Sequence, residues 1–464
     1  MSRVRIDEQL PASLVKEDGL IYQTGFANTF ETEAIKGALP RGRNNPRQVP
    51  FNLYTEQLSG TAFTSPRHVN RRSWLYRIQP GVVGSSNLFV KSNMQSFGAA
   101  QGLHVDPNPM RWKPMPFCTE GTTFVTGMKS LMSSGSPLTK FGLAIYMYSF
   151  DQDMAEEQEH LVNSDGDFLI VPQTGSVLIM TELGKLIVHP NEICVIPRGI
   201  VFSVHKLRKE DPPTRGYVLE VFAGHFQLPE LGPIGSNGLA NVRDFLHPTA
   251  WCVSQQDYSR KCTIVNKFGG ELFQRESPHS PYNVVAWHGT YVPFKYDLGR
   301  FCAVNSVTYD HLDPSIYTVL TCAGPTPGEA LADFVIFPHR VMATDSNTLR
   351  PPWFHRNCMS EFMGLIQGGY DAKKGFEAGG ASLHSCMTPH GPDTVSYENA
   401  VADECKEPTN FEGGLAFMFE TMCMLELTEY ARSCDHRDLK YAECWSGLKD
   451  TFSGWNLLHN EYSE

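Results

Sequence analysis

Three histidines, one glutamate and one tyrosine that could take part in chemistry lie within a single stretch of thirty-six residues. They are His355, Glu361, Tyr370, His384 and His390, and most of the residues between them are typical of turns and loops. Two neutral imidazoles and one carboxylate on a single face form the ligand set that holds a non-haem Fe(II) and leaves positions open for oxygen and substrate. The residue types therefore suggest an iron site in this stretch.

The spacing of these residues restricts how they could meet. His355 and Glu361 are six residues apart, which corresponds to roughly 20 Å on an extended strand and to opposite sides of a helix. They can share a metal with bonds of about 2 Å only if the chain reverses between them, and residues 356–360 are a plausible bend. His390 lies between two prolines and a glycine, which favour a fixed loop. Spacing alone leaves His384 as a rival ligand.

An ordinary structural role must be weighed against this interpretation. The chain has sixteen histidines, and a single histidine is more often a hydrogen-bonded core or surface residue than a ligand. The cluster taken together favours a metal site. It lacks the short HExxH spacing, so it is not a zincin motif.

Longer strings around the same residues resemble the homogentisate 1,2-dioxygenase family. They are HRNCMSEFMGLI (from His355), GGASLHSCMTPHGPD (from Gly379) and YDHLDPSIYTVLT (from Tyr309), and similar strings occur earlier, including NLYTEQLSGTAFTSPR (from Asn52) and LGPIGSNGLANVRDFL (from Leu231). The resemblance runs in the same order from about residue 20 to about residue 420. It is weak from 90 to 140, except at Arg111-Trp112-Lys113-Pro114, and after about Glu429.

The resemblance implies roles for individual residues. It implies that His355, Glu361 and His390 hold Fe(2+) and that His311 is the acid/base of the substrate pocket. It implies substrate-pocket positions for Tyr370, His384 and His390. The implied reaction opens the ring of homogentisate with O₂ to give maleylacetoacetate in tyrosine and phenylalanine catabolism. The implied assembly is a homohexamer arranged as a dimer of trimers.

Composition excludes several other classes of protein. The 464 residues carry a formal net charge of −11 and no run of Lys or Arg, so nothing indicates nucleic-acid binding. An acidic chain would not attract an anionic substrate, so a carboxylate substrate requires local cations. The start of the sequence lacks the apolar core of a signal peptide, and no apolar run reaches the ~18 residues of a membrane span. Twelve scattered cysteines without a CxxC pair suggest free thiols in a reducing, cytoplasmic compartment.

The pattern of short apolar runs predicts a mainly β fold. Runs rich in Val, Ile, Phe and Tyr are separated by Gly and Pro, which is typical of a β-sandwich or jelly roll with few peripheral helices. They are Asp167–Val171, 176–180, 185–188, 193–196, 217–222, 317–320 and 333–337. The segment 414–431, with apolar residues on most faces, is predicted as an amphipathic helix.

Two domains are expected in a chain of this length. We place an N-terminal β domain at 1–300 and a catalytic, iron-binding domain at 301–464. The segment 165–203 resembles the second half of a cupin jelly roll, with Pro197 and Gly199 before the position of a metal-binding histidine. Ser203 stands near that position and no HxH precedes it, so the N-terminal cupin-like core is predicted to bind no metal.

Two alternative functions remain open at this point. One is another cupin-type aromatic dioxygenase, for example one that acts on gentisate. The other is a cupin without metal that serves as a binding or storage protein, which the retained ligand residues and His311 argue against.

Overall fold

The fold is built almost entirely from β-strands. The computed structural model describes residues 10–42, 45–83, 88–94, 104–155, 158–230, 238–304, 311, 317–342, 345–370, 372–455 and 458. In these ranges three short α-helices accompany the strands: α1 (Gln255–Tyr258), α2 (Thr394–Ala402) and α3 (Glu429–Ser433). A mainly β fold with few helices was predicted, and this is confirmed.

The strands are numbered in chain order. The first part of the chain contains β1 (Leu14–Glu17), β2 (Leu20–Thr24), β3 (Phe30–Glu33), β4 (Tyr54–Ser59), β5 (Arg72–Arg77), β6 (Val90–Lys91), β7 (Met110–Trp112), β8 (Met128–Ser136), β9 (Phe141–Phe150), β10 (Glu159–Asn163), β11 (Asp167–Thr174), β12 (Val177–Thr181), β13 (Gly184–Val188), β14 (Glu192–Ile196), β15 (Val201–Lys206) and β16 (Thr214–Val221). The second part contains β17 (Gly238–Leu239), β18 (Phe245–Pro248), β19 (Cys262–Phe268), β20 (Glu271–Ser277), β21 (Val284–Gly289), β22 (Phe294–Asp297), β23 (Cys302–Ala303), β24 (Thr318–Ala323), β25 (Ala330–Phe337), β26 (Arg340–Val341), β27 (Ser360–Gln367), β28 (Ala381–His384), β29 (Asn410–Phe411), β30 (Leu415–Thr421) and β31 (Glu426–Leu427).

Three of the sheets are stacked as layers. The central sheet has the order β1-β2-β18-β22-β14-β11-β16-β9-β8-β31. The N-terminal outer sheet, β13-β12-β15-β10-β19-β20-β6, packs on one of its faces. The C-terminal outer sheet, β24-β25-β30-β27-β28-β7, packs on the other. Two apolar cores therefore lie on opposite sides of one shared sheet.

Strand β9 shows why the central sheet occupies the middle. Its sequence, FGLAIYMYSF, is apolar at nearly every position, and nine of its ten residues are buried. Successive side chains of a strand point to opposite faces. Leu143, Ile145 and Met147 enter the core beneath the C-terminal outer sheet, whereas Ala144, Tyr146 and Tyr148 enter the core beneath the N-terminal one. An unbroken apolar run is what a strand covered on both faces requires.

The predicted strand runs are confirmed and the predicted helix is wrong. Strands β11, β12, β13, β14, β16, β24 and β25 each coincide with a predicted run to within a few residues. Half of the residues in 414–431 form β30 and β31, and its last three residues belong to α3. Strand β30 is buried at all seven positions because β25 and β27 flank it in the sheet. A fully buried strand shows apolar residues on every side, so its pattern cannot be distinguished from that of a buried helix.

Two short strands cross between the halves of the chain. Strand β7 pairs with β28 in the C-terminal outer sheet, through Ala381 and Trp112 among others. Strand β31 pairs with β8 in the central sheet. The segments on either side of residue 300 are therefore joined through shared sheets.

A buried ion cluster links the two sheets of the N-terminal half. Lys267 on β19 has a fully buried side chain, and its Nζ lies 2.7 Å from Asp165 and 3.0 Å from Glu220 of the central sheet. Tyr146 and Asn163 also donate to Glu220, at 2.6 Å each. Because charges out of water are costly unless they are paired and hydrogen-bonded, this lysine and its two carboxylates depend on one another.

Another buried carboxylate, that of Asp167, holds the loop after β16 in place. Arg198 Nε lies 2.7 Å from its Oδ1 and His225 Nδ1 lies 2.6 Å from its Oδ2. Burial alone would raise the pKa of Asp167, but Arg198 and His225 together lower it to about 2. The carboxyl group of Asp167 is therefore ionised throughout the mildly acidic and neutral pH range.

No described helix has the length and apolar character needed to cross a membrane. All twelve cysteines lie in the described ranges and are free thiols, as predicted.

Candidate metal centre

Two loops and one strand bring the predicted ligands together. His355 and His390 face each other across an isolated antiparallel bridge, with His355 N donating to His390 O at 2.9 Å and His390 N donating to His355 O at 3.1 Å. Glu361 lies near the start of β27, after a bend that reverses the chain. One donor atom from each of the three residues lies within 4.8 Å of the other two. No other such group of His, Cys, Asp or Glu occurs among the described residues.

Backbone carbonyls set the orientation of both imidazoles. His355 Nδ1 lies 2.6 Å from the carbonyl of Trp353, and His390 Nδ1 lies 2.9 Å from that of Thr388. A carbonyl only accepts, so each Nδ1 carries a proton, and each Nε2 has a lone pair for a metal whenever the ring is neutral. Such hydrogen bonds to the outer ring nitrogen are how proteins orient metal-ligating histidines.

The two Nε2 atoms converge on the carboxylate of Glu361. His390 Nε2 lies 3.0 Å from Oε2, and His355 Nε2 lies 3.6 Å from Oε1. His355 Nε2 is a buried atom without a hydrogen-bond partner, which is rare unless a ligand satisfies it. Burial favours a raised pKa for Glu361, yet contact with the two histidines holds it well below its usual range. The donor set therefore fits a divalent cation.

A row of polar residues crosses the C-terminal outer sheet beside Glu361. Glu420 on β30 is paired directly with Glu361 on the adjacent strand β27. Asn357 Nδ2 donates to both carboxyl groups, at 3.0 Å to Glu361 and at 2.6 Å to Glu420. Burial, together with the charges of Glu361 and Asp333, raises the pKa of Glu420 to about 8. Glu420 is therefore protonated at neutral pH, and Glu361 is the ionised carboxylate of the pair.

His384 lies behind His390 and does not contact the shared centre. It is buried, and its ring stacks on that of His390 with centroids 4.1 Å apart and planes 7° apart. Its Nε2 contacts Tyr441 Oη at 2.8 Å and Lys373 Nζ at 2.9 Å. The rival ligand role for His384 is therefore not supported. The described lining of the cavity in front of the ligands does not include His384, and its place in the substrate pocket stays a prediction.

A cavity opens in front of the three ligand residues. Its other walls are formed by the side chains or backbone of Phe337, Pro352, Met363, Tyr370, Ala372, Lys373, Gly391 and Met418. Tyr370 lines this cavity and also a second cavity nearer the surface; its role in binding substrate stays a prediction. The second cavity contains the cationic residues Arg350 and Lys374. Burial lowers the pKa of Lys373 to about 8, so its ammonium is mostly charged at neutral pH.

His311 lies next to the loop that carries the first ligand. It is exposed, and its ring packs on that of Trp353 with centroids 4.7 Å apart. Trp353 is also the residue whose carbonyl holds His355. The described walls of the metal cavity do not include His311.

In the predicted N-terminal cupin-like core, Ser203 is occupied by protein contacts. Its Oγ lies 2.7 Å from His205 Nε2 and 2.5 Å from Tyr282 Oη. The prediction that this core binds no metal stays a prediction.

Four polar residues of the site were missed in the sequence: Asn357, Lys373, Glu420 and Tyr441. Asn357 and Lys373 lie in or beside the strings that carry the resemblance, so their positions between the ligands were available as a signal. Glu420 reaches the site through strand pairing, and Tyr441 reaches it from the C-terminal tail of the chain. Neither kind of contact leaves a local pattern in the sequence.

Comparison with known proteins identifies the family. The N-terminal family model of homogentisate 1,2-dioxygenase matches residues 21–298 and the C-terminal model matches residues 299–452. The homogentisate 1,2-dioxygenase of Dictyostelium discoideum is 53% identical over 92% of this chain and 97% of its own. Those of Oryza sativa subsp. japonica (50% identical; 93% and 92%) and Rhodopseudomonas palustris strain CGA009 (48%; 93% and 94%) are also similar. This chain therefore belongs to the homogentisate 1,2-dioxygenase family.

Proposed function

We propose that the protein is an Fe(II)-dependent dioxygenase that opens the aromatic ring of homogentisate with O₂ to form maleylacetoacetate. Family membership supports the reaction. The observation that carries the assignment of the site is the convergence of His355, Glu361 and His390, with a buried and unpartnered Nε2 on His355. Two histidines and one carboxylate suit Fe(II) and leave about three coordination positions open.

The protein's own groups prepare the site in two ways. The carbonyls of Trp353 and Thr388 hold both Nε2 lone pairs towards the carboxylate, and Asn357 fixes one oxygen of Glu361. Fe(II), when bound, would supply open positions for O₂ and the phenolic substrate and would pass electrons from the ring to O₂.

Cationic side chains near the site favour binding of a substrate that carries a negative carboxylate. The chain has a net charge of −11, which would repel a carboxylate. Lys373 in the metal cavity and Lys374 in the second cavity are cationic residues that offset this charge, whereas Arg350 of the second cavity is paired with Asp403 of the same lining. We include Tyr370 in the proposal as a substrate-binding residue, since it lines both cavities.

We propose His311 as the acid/base group. An imidazole can accept the phenolic proton and return it later. Its contact with Trp353, two residues before His355, supports a position close to the cavity.

The proposal also covers assembly and location. We infer a homohexamer arranged as a dimer of trimers, from family membership. A cytoplasmic location is supported by the twelve free cysteines, because such thiols persist in reducing compartments.

Metal content and activity of single variants test the centre. His355→Ala, Glu361→Ala and His390→Ala should each lose most bound iron and nearly all homogentisate-dependent oxygen uptake, whereas His384→Ala should retain a bound metal. If His384→Ala empties the site while His390→Ala does not, the ligand assignment is wrong.

Substrate choice and metal dependence test the reaction. Homogentisate and gentisate, which differ by one methylene, should be offered separately to the Fe(II)-loaded protein while oxygen uptake is recorded. Faster turnover of gentisate would favour the alternative dioxygenase. Zn²⁺ should bind the same ligands and inhibit, so full oxygen uptake with zinc alone, after rigorous removal of iron, would refute the proposed chemistry.

A further inference from the structure

The C-terminal tail of the chain is fixed next to the metal centre. Arg111 of β7 bonds the carboxylate of Asp438 through Nε at 2.9 Å and through Nη2 at 2.6 Å, and Asp438 N donates to the Arg111 carbonyl at 2.8 Å. The guanidinium of Arg111 also lies 4.8 Å from the centre of the Tyr441 ring. This anchors residues 438–445, here called the tail segment, against the C-terminal outer sheet.

The first contact of the tail segment with the site runs through His384. Tyr441 is buried, and its Oη lies 2.8 Å from His384 Nε2. Lys373 Nζ contacts the same nitrogen at 2.9 Å, and an ammonium only donates, so this nitrogen accepts. The face of the His384 ring stacks on the ring of His390. The edge of His384 is therefore held by the tail segment while its face supports His390.

The second contact reaches the residues that follow His390. Trp445 Nε1 donates to the carbonyls of Gly391 at 3.3 Å and Pro392 at 3.1 Å. Thr394 Oγ1 donates to the Cys444 carbonyl at 3.0 Å. The tail segment therefore also binds the residues that follow His390 in its loop.

We propose that Tyr441 is a positioning residue for His390, and that the tail segment completes the metal centre although it supplies no ligand. The inference rests on the proposed metal centre. The hydroxyl of Tyr441 fixes the plane of His384, and that plane fixes the ring of His390 with its Nε2 towards Glu361. Trp445 holds the same loop from the other side. Groups that hydrogen-bond a ligating histidine directly contribute about 10–100-fold to metal affinity, so the lower end of that range, about 10-fold, is expected for Tyr441, which acts through His384.

Cobalt binding to the full chain tests this inference. Co²⁺ is titrated anaerobically into metal-free protein in competition with a chelator, and the visible d–d bands of bound Co²⁺ report the ligand geometry. Tyr441→Phe removes only the hydroxyl, and it should raise the dissociation constant for Co²⁺ about 10-fold or more and alter the bands. Tyr430→Phe makes the same change on α3 and should leave both unchanged. Thermal unfolding of the metal-free variants separates a loss of folding from a loss of positioning.

Two further variants distinguish the possible outcomes of this experiment. If Tyr441→Phe does not fold, Trp445→Phe replaces it in the same assay with the same expected direction. Wild-type affinity and bands in the folded variant would overturn the inference alone, provided that His390→Ala abolishes binding. If His390→Ala binds Co²⁺ as tightly as the wild type, the proposed metal centre fails and the inference fails with it.

Discussion

Gly391→Ala should damage the metal centre without changing any ligand. Gly391 follows His390, and it lies against Phe354, the residue before His355. A Cβ atom at position 391 would lie 2.5 Å from Cδ1 of the Phe354 ring and 2.9 Å from its Cα. The ring can rotate away from the new methyl group. The Cα cannot move without moving His355, so the two ligand loops must separate.

The size of the effect follows from this distance. Carbon atoms in contact lie about 3.5–4.0 Å apart, so a Cβ at 2.9 Å demands a separation of roughly 0.6 Å. Overpacking of this kind costs about 1–3 kcal/mol of folding free energy. A misplacement approaching 1 Å at a reacting centre can reduce the rate by about 10²-fold. We therefore expect Gly391→Ala to lower turnover or metal affinity by roughly 10–100-fold while the protein remains folded.

Paired glycine variants make the measurement specific. Gly42→Ala introduces the same methyl group where it meets nothing within 4 Å, and it should behave as the wild type. Both variants are assayed for Co²⁺ affinity, for oxygen uptake with homogentisate and for thermal unfolding. Wild-type affinity and turnover in Gly391→Ala would show that the spacing of the ligand loops does not limit the site, and the reasoning would be refuted.

Three other perturbations have directions that the structure sets. His311→Ala should keep its bound metal but lose roughly 10²–10⁴-fold in turnover; near-normal turnover would remove it from the mechanism. Lys267→Met leaves two buried carboxylates uncompensated and should lower the free energy of unfolding, measured with urea, by about 3–5 kcal/mol. Lys91→Met removes a lysine from an exposed ion pair and should lower it by about 1 kcal/mol or less. Equal losses in the two variants would contradict this prediction. The pKa of Asp167, about 2, lies below the ordinary value near 3.9, so its ionised form stabilises the fold above about pH 4 and this contribution is lost towards pH 2. Asp167→Asn should flatten the pH dependence of unfolding in that window, and an unchanged slope would count against it.

The sequence was a good guide to the strands and a poor guide to β30. Runs such as 167–171 and 193–196 were recognisable because β-branched and aromatic residues alternate with turn residues at short intervals. The seven residues of β30 are covered on both faces and have neighbours on both edges, so no polar face remained to reveal the period of a strand. The prediction of a helix failed because the burial of β30 comes from tertiary packing.

The site was predictable as far as its residue types and family strings allowed. Spacing could not choose between His384 and His390, because only the bridge between His355 and His390 decides which imidazole faces Glu361. Tyr441 contacts His384 from more than fifty positions away. No local rule of periodicity or turn chemistry connects residues so far apart, although the C-terminal family model matches the tail as far as residue 452.

The pairing of β7 with β28 has a consequence for the order in which the chain leaves the ribosome. About 270 residues separate the two strands, and at roughly 5–20 residues per second their synthesis takes on the order of 13–54 s. During that time Met110 and Trp112, both buried in the finished fold, have no partner strand to cover them. Such transiently exposed apolar edges favour aggregation, so the nascent chain is expected to need a chaperone until β28 is made, and the tail segment is synthesised later still.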